Sequence, residues 1–125
     1  MMDSVHRNLA PGGIFCFDFI DADKFIPEIW EGKTIEHEAS FKGIDYRRAS
    51  IWKPNVQHGW GFDWTSHFYK KDEGNWTKIG EDFSTIRTFT FQEIELFLKV
   101  HHFKIKERME RDSYAFPTGV VVAEK

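Results

Sequence analysis

The sequence holds a single cysteine, Cys16, so no internal disulfide can brace the fold. It contains no apolar run near the ~20 residues needed to cross a bilayer. Its first residues lack the form of a signal peptide. Basic footprints are missing as well: 17 Lys and Arg are interspersed among 20 Asp and Glu, for a net charge of −3. That balance argues against nucleic-acid and membrane-surface partners. No two histidines have familiar metal-ligand spacing, and without a second cysteine a metal site is not expected. Internal repeats, heptads and low-complexity stretches are absent. A cytoplasmic protein fits this set of absences best. Cys16 itself lies in an apolar stretch, where it is most simply a buried small hydrophobe.

Aromatic residues are abundant. Thirteen Phe, five Trp and three Tyr make up 17% of the 125 residues. A chain of this length reads as one domain, residues 1–125, with room for one core. Aromatic side chains favour strands and bury large areas, so a β-rich middle is expected. They either fill a small core or line a cavity; composition alone leaves both open.

Along the chain, Val5 and Leu9 share one face of a short helix that Pro11 and Gly12-Gly13 would stop. Ile14 to Ile20 is then nearly continuous in Ile, Phe and Cys, broken only by Asp18. Such continuity predicts a strand buried on both faces. Asp21-Ala22-Asp23 opens a short helix through Trp30, with Pro27 expected in or near its first turn. Thr34 to Phe41 alternates, Lys42-Gly43 marks a turn, and Ile44 to Trp52 reads as a second strand broken by Lys53-Pro54-Asn55. Trp60, Phe62, Trp64, Ser66 and Phe68 line one side of a third. A turn over Lys71–Asn75 leads into an extended segment from Trp76 to Phe89. These spacings predict an antiparallel meander over residues 33–89. Thr90-Phe91-Gln92-Glu93 has the form of a capping box worth about 1 kcal/mol. Ile94, Phe97 and Leu98 continue it as a helix to about Val100. Phe103 to Met109 and Gly119 to Ala123 read as two last strands.

Leu9-Ala10-Pro11-Gly12-Gly13 followed by Ile14-Phe15-Cys16-Phe17-Asp18 resembles the "L-x-P-G-G then strand" motif of class I S-adenosylmethionine-dependent methyltransferases. Thr88 to Ile105 and the final Val-Val-Val-Ala strand resemble later segments of the same family. The resemblance implies an α+β chain that is the C-terminal half of a Rossmann-like methyltransferase sheet, its strands 5, 6 and 7. The seventh strand would lie antiparallel between the other two. The meander over 33–89 would then be an insertion, an aromatic lid over the acceptor substrate that excludes water and can embrace a cation. The family's Gly-rich loop after its first strand, and the acid that holds the ribose, have no counterpart here. Gly59-Trp60-Gly61 is rejected as such a loop because no helix follows it. His102 falls where the family usually places a glycine at the helix end.

Asp18, Asp21 and Asp23 gather at the carboxyl end of the first strong strand, where open α/β sheets bind ligands. They would orient an acceptor amine or hydroxyl, or Asp21 or Asp23 simply caps the next helix. His37, His58 and His67 are either general-base candidates or ordinary surface histidines. Arg47 and Arg48 would clamp a carboxylate or phosphate, but alternation puts them on opposite faces, so at most one meets a cavity. Tyr46 and Tyr69 are hydrogen-bonding candidates. The substrate-binding set is therefore Asp18, Asp21, His37, Tyr46, Arg48 and Trp64, with no catalytic, cofactor or metal residue assigned.

The resemblance implies the acceptor-binding C-terminal part of a small-molecule N- or O-methyltransferase. S-adenosylmethionine would be the donor of the complete enzyme, and none is expected to bind this chain alone. The alternative is a non-catalytic ligand-binding or interaction domain, a degenerate remnant of such an enzyme. Either way the partners expected are a small-molecule acceptor and a second protein surface. That surface belongs to a homodimer mate, or to a partner that supplies the missing sheet half.

Overall fold

The Gly-Val-Val-Val-Ala segment forms the middle strand of a three-stranded sheet. In the computed structural model, which describes residues 1–112 and 115–125, the order along the chain is α1 (Met2–Asn8), β1 (Ile14–Ile20), α2 (Ala22–Glu28), β2 (Lys33–Phe41), β3 (Ile44–Pro54), β4 (Gly61–Asp72), β5 (Asn75–Arg87), α3 (Phe91–Val100), β6 (Lys104–Arg111) and β7 (Thr118–Glu124). The fold is α+β and mostly β, in two antiparallel sheets ordered β1-β7-β6 and β2-β3-β4-β5. Two compact units result. One combines Met1–Phe25 with Thr88–Lys125, and the other is Ile26–Arg87.

In the first unit β7 runs antiparallel to both neighbours, with Phe17 opposite Val121 and Phe15 opposite Ala123. Phe15, Phe17 and Phe19 face inward. Phe19 joins Val121, Ala123, Phe103 and the Ile94 and Leu98 stripe of α3 in one core, against which Met2, Val5 and Leu9 also pack. Three Phe at period two on one face supply most of β1's burial. The opposite face departs from expectation: Ile14, Cys16 and Asp18 are exposed. The run is thus half-buried, and Cys16 is no buried hydrophobe. The physical reason is that α1 and α3 cover only one side of this sheet, so only odd-numbered positions of β1 reach the core. At its carboxyl end β1 gains a parallel bridge from Asp21 to Phe89.

Helix α3 is fixed at both ends. Thr90 Oγ1 accepts from the Glu93 amide at 3.1 Å, and the Glu93 carboxylate accepts from the Thr90 amide at 2.8 Å, completing the capping box. At the other end, Phe103 N–H donates to Leu98 at 2.8 Å and His102 N–H to Lys99 at 3.1 Å. His102 sits at φ +63. This is a Schellman closure, with a histidine in the left-handed position usually given to glycine. The buried Phe103 ring supplies the hydrophobic contact that accompanies the motif, and His101 Nδ1 meets Asp3 Oδ1 of α1 at 2.5 Å. Helix α2 differs from expectation. It ends at Glu28, and Pro27 lies in its last turn rather than its first. There the missing N–H costs a single hydrogen bond and no continuing helix is disturbed.

In the second unit, two-residue turns with positive φ at both positions join β2 to β3 and β4 to β5. Lys42 and Gly43 lie at φ 51 and 76, and Glu73 and Gly74 at φ 49 and 80. Such turns match the twist of paired strands, which is why Gly follows Lys and Glu here. Trp52, Phe62, Ser50 and Ser66 are buried, and Trp52 meets Trp64 edge-on at 5.9 Å. β4 begins at Gly61, so Trp60 stands outside the strand and is exposed. One irregularity interrupts the β4–β5 ladder: Phe68 pairs with Gly80 but Tyr69 with Lys78, leaving Ile79 as an extra residue.

Two glycine exchanges should move stability in opposite directions. A Cβ on Gly119 would lie 2.5 Å from the Phe19 ring that covers it. Gly119→Ala is therefore expected to cost about 1–3 kcal/mol by overpacking. His102→Gly relieves the left-handed backbone and is expected to gain about 0.5–1 kcal/mol. Urea unfolding midpoints of the two variants check both signs.

Candidate functional site

The register of the meander decides which side chains can meet. His37 lies opposite Arg48, and Arg48 opposite Phe68, so these three form one row across β2, β3 and β4. Ala39 and Tyr46 form the next row. Between these rows lies an open groove of about 290 Å³ lined by His37, Ala39, Tyr46, Arg48, Phe68 and Ile79. Glu38, Arg47 and Tyr69 also border it. By alternation their side chains leave from the other face, so they contribute floor rather than walls.

The adjacent arginines have separate work. On the far face, Arg47 donates through Nε and Nη2 to Glu38 Oε1 at 2.9 and 2.8 Å, and its guanidinium stacks 4.3 Å above the Trp76 ring. The Arg48 guanidinium makes no hydrogen bond or ion pair among the described residues. The same is true of the His37 imidazole and the Tyr46 hydroxyl. A guanidinium, an imidazole and a phenol therefore reach one groove with their donors unspent, beside the apolar walls of Ala39, Phe68 and Ile79.

Three of the six sequence-predicted site residues, His37, Tyr46 and Arg48, are thus brought together. Trp64 shares their sheet face but stands two rows away, against Trp52. Asp18 and Asp21 belong to the other unit. Asp18 is exposed beside a hollow of about 340 Å³ lined by Cys16, Phe17, Arg111 and Val120. Asp21 is 3% exposed and caps α2: its Oδ1 accepts from the Asp23 amide at 3.1 Å, and its carbonyl from Phe25 at 2.9 Å. Burial pushes its carboxyl above the usual aspartate range, and the nearby Asp23 and Glu110 carboxylates add to that, against the Asp23 amide and Lys24. The helix-capping role weighed for Asp21 is the one the geometry shows. Tyr69 points away from the groove, and His67 lies on the far face, 3.7 Å from Glu81. Of the walls that sequence reasoning missed, Phe68 carried a signal in the aromatic alternation of β4. Ile79 enters through the bulge and carried none.

The residues present do not suit a nucleoside-binding glycine loop. The space above Gly59 is filled by the Arg87 guanidinium, which a Cβ placed there would strike. That guanidinium donates to the His58 carbonyl. Gly59-Trp60-Gly61 is thus closed by its own chain. Among the described residues no cluster of side chains is arranged to hold a metal ion, and no helix is long and apolar enough to cross a membrane.

No protein-family model matches the sequence, and no curated protein is similar enough to count as a match. Solved structures do match. One is SAM-bound CalS10, an amino pentose methyltransferase from Micromonospora echinaspora involved in calicheamicin biosynthesis, at TM-score 0.67 and 15% identity over 98% of this chain and 48% of that one. A second is DesVI of Streptomyces venezuelae, at TM-score 0.70 and 18% identity over 96% of this chain and 48% of that one. A third is the CcbJ methyltransferase from Streptomyces caelestis, at TM-score 0.54 and 18% identity over 98% of this chain and 50% of that one. The chain spans about half the length of each. Over that half, the fold is the one found in class I S-adenosylmethionine-dependent methyltransferases.

The cap at Asp21 yields a pH test. A carboxyl whose folded value is raised binds its proton more tightly in the folded state, so its contribution to stability declines as pH rises from 3.8 through that folded value. Asparagine keeps the accepting oxygen without the charge. Asp21→Asn should therefore gain on the parent chain over this interval, whereas Asp21→Ala loses the cap, about 1 kcal/mol, at every pH. Urea midpoints at a series of pH values read the difference, and parallel curves for Asp21→Asn and the parent would contradict it.

Proposed function

We propose that these residues form the acceptor-binding half of a small-molecule N- or O-methyltransferase that uses S-adenosylmethionine. The observation that carries this reading is the likeness to methyltransferase structures over nearly the whole chain, meander included. The β1-β7-β6 order, with β7 antiparallel in the middle, supports reading them as strands 5, 7 and 6 of such a sheet. Because Gly59-Trp60-Gly61 is closed by Arg87, donor binding in this reading falls to residues outside these 125. The chain's own part is to hold the acceptor and keep water away from it, and the meander with its groove suits that task.

One observation favours the alternative of a non-catalytic binding domain: the groove is lined by residues of the meander alone. Calorimetry separates the cases. The 125-residue chain is expected to show no saturable S-adenosylmethionine binding at or below about 10 μM. The same residues joined to, or mixed with, a donor-binding half from the same source are expected to bind it and to transfer a labelled methyl group to a small acceptor. Micromolar donor affinity in the isolated chain contradicts this division of labour. Donor binding without transfer to any acceptor favours the alternative.

The edge of β1 away from β7 has no strand partner from Ile14 to Phe19 among the described residues, and Ile14 and Cys16 are exposed beside it. Such an edge invites pairing. In the proposed reading it is covered by the missing sheet half or, in its absence, by a second copy of the chain. Sedimentation velocity at micromolar concentration should show a dimer with slow amide exchange along β1. A monomer whose β1 amides exchange rapidly would sink this part of the reading.

A further inference from the structure

We propose that the meander groove is a recognition site for an organic anion about one ring in size. Arg48 and His37 would hold its phosphate or carboxylate, and its apolar body would lie against Tyr46, Phe68 and Ile79. Three independent observations lead there. First, Arg48 is unpaired among the described residues while its neighbour Arg47, one residue away, is held by Glu38 and Trp76. One guanidinium is thus held by its own chain, while the next is open toward a concavity, where it can meet an anion. Second, the register sets His37 directly opposite Arg48. Cross-strand partners have Cβ atoms about 4.5–5.5 Å apart, a span over which two donors can share the oxygens of one anion. Third, the remaining walls are apolar, and at about 290 Å³ the groove stands at the lower end of ligand sites. Such sites run to roughly 300–1,000 Å³, so one ring with its anionic group fits and a dinucleotide does not.

Among the described residues the one carboxylate that borders the groove, Glu38, points to the far face and is neutralised by Arg47. It therefore does not repel an incoming anion from within the groove. The inference extends the proposed function, since in that reading the bound anion is the acceptor or part of it. Binding itself needs no donor.

The test uses the whole 125-residue chain without S-adenosylmethionine. Phenyl phosphate, benzoate, inorganic phosphate and uncharged benzyl alcohol are titrated by calorimetry and by NMR chemical-shift mapping. Phenyl phosphate or benzoate is expected to bind saturably and to shift the Arg48, Tyr46 and Phe68 signals. The tighter of the two identifies the anionic group. Inorganic phosphate and benzyl alcohol, each lacking one half of the recognition, should bind at least about tenfold more weakly, equivalent to about 1.4 kcal/mol. Arg48→Gln should weaken the aryl anion about tenfold, while Arg108→Gln, in the other unit, stays within about twofold. No saturable binding would overturn the proposal. So would equal losses in the two arginine variants, or inorganic phosphate binding as tightly as phenyl phosphate. Failure here leaves the donor and methyl-transfer experiments to decide the proposed function separately.

Discussion

A two-residue turn at Lys42-Gly43 sets the parity of β2 against β3. Both residues lie at positive φ, a geometry that joins antiparallel strands with no slack. Counting back from it, Phe41 must face Ile44, and so Glu38 faces Arg47 and His37 faces Arg48. A slip of one residue at this turn would part His37 from Arg48 and bring Glu38 onto the groove's face. The ion pair on one side and the open cation on the other therefore depend on the same backbone constraint.

The elements with local chemical signals were legible in the sequence. Thr90 and Glu93 name a helix start because their side chains can answer the exposed amides of that turn and nothing else nearby can. Lys42-Gly43 and Glu73-Gly74 name hairpins because glycine tolerates the turn's second position. What the sequence hid depends on distant chain. Ile14 to Ile20 reads as buried on both sides, yet whether Cys16 meets solvent is decided by what covers that face, and α1 and α3 cover only the other. Asp21 reads as ligand or as cap, and its low exposure and bond to the Asp23 amide show the cap. His37, Tyr46 and Arg48 were legible as candidates by residue type. Their convergence required the register, and Ile79 required a ladder irregularity that no local pattern announces.

The two units hold their order by different means. The first is a core of aromatic and aliphatic rings pinned at the α3 ends by capping hydrogen bonds. Its tightest fit is a phenylalanine laid on a glycine across the strands. The second is a long ladder, buried along part of one face and solvated over much of the rest. Tight packing tolerates little change in shape. A solvated ladder can alter its exposed side chains while its backbone pairing persists. Chemistry that must differ from one ligand to the next is better carried by the second kind of structure, and that is where the unspent donors lie.

The extra residue at Ile79 bears on how such a groove changes over generations. Losing that one codon would join the Phe68–Gly80 and Tyr69–Lys78 pairs into an unbroken register and leave every buried row as it stands. A single small deletion or insertion could then redraw one wall of the groove without approaching the stability threshold that purges most mutations. The irregularity is a place where ligand preference can diverge between lineages while the fold is inherited intact.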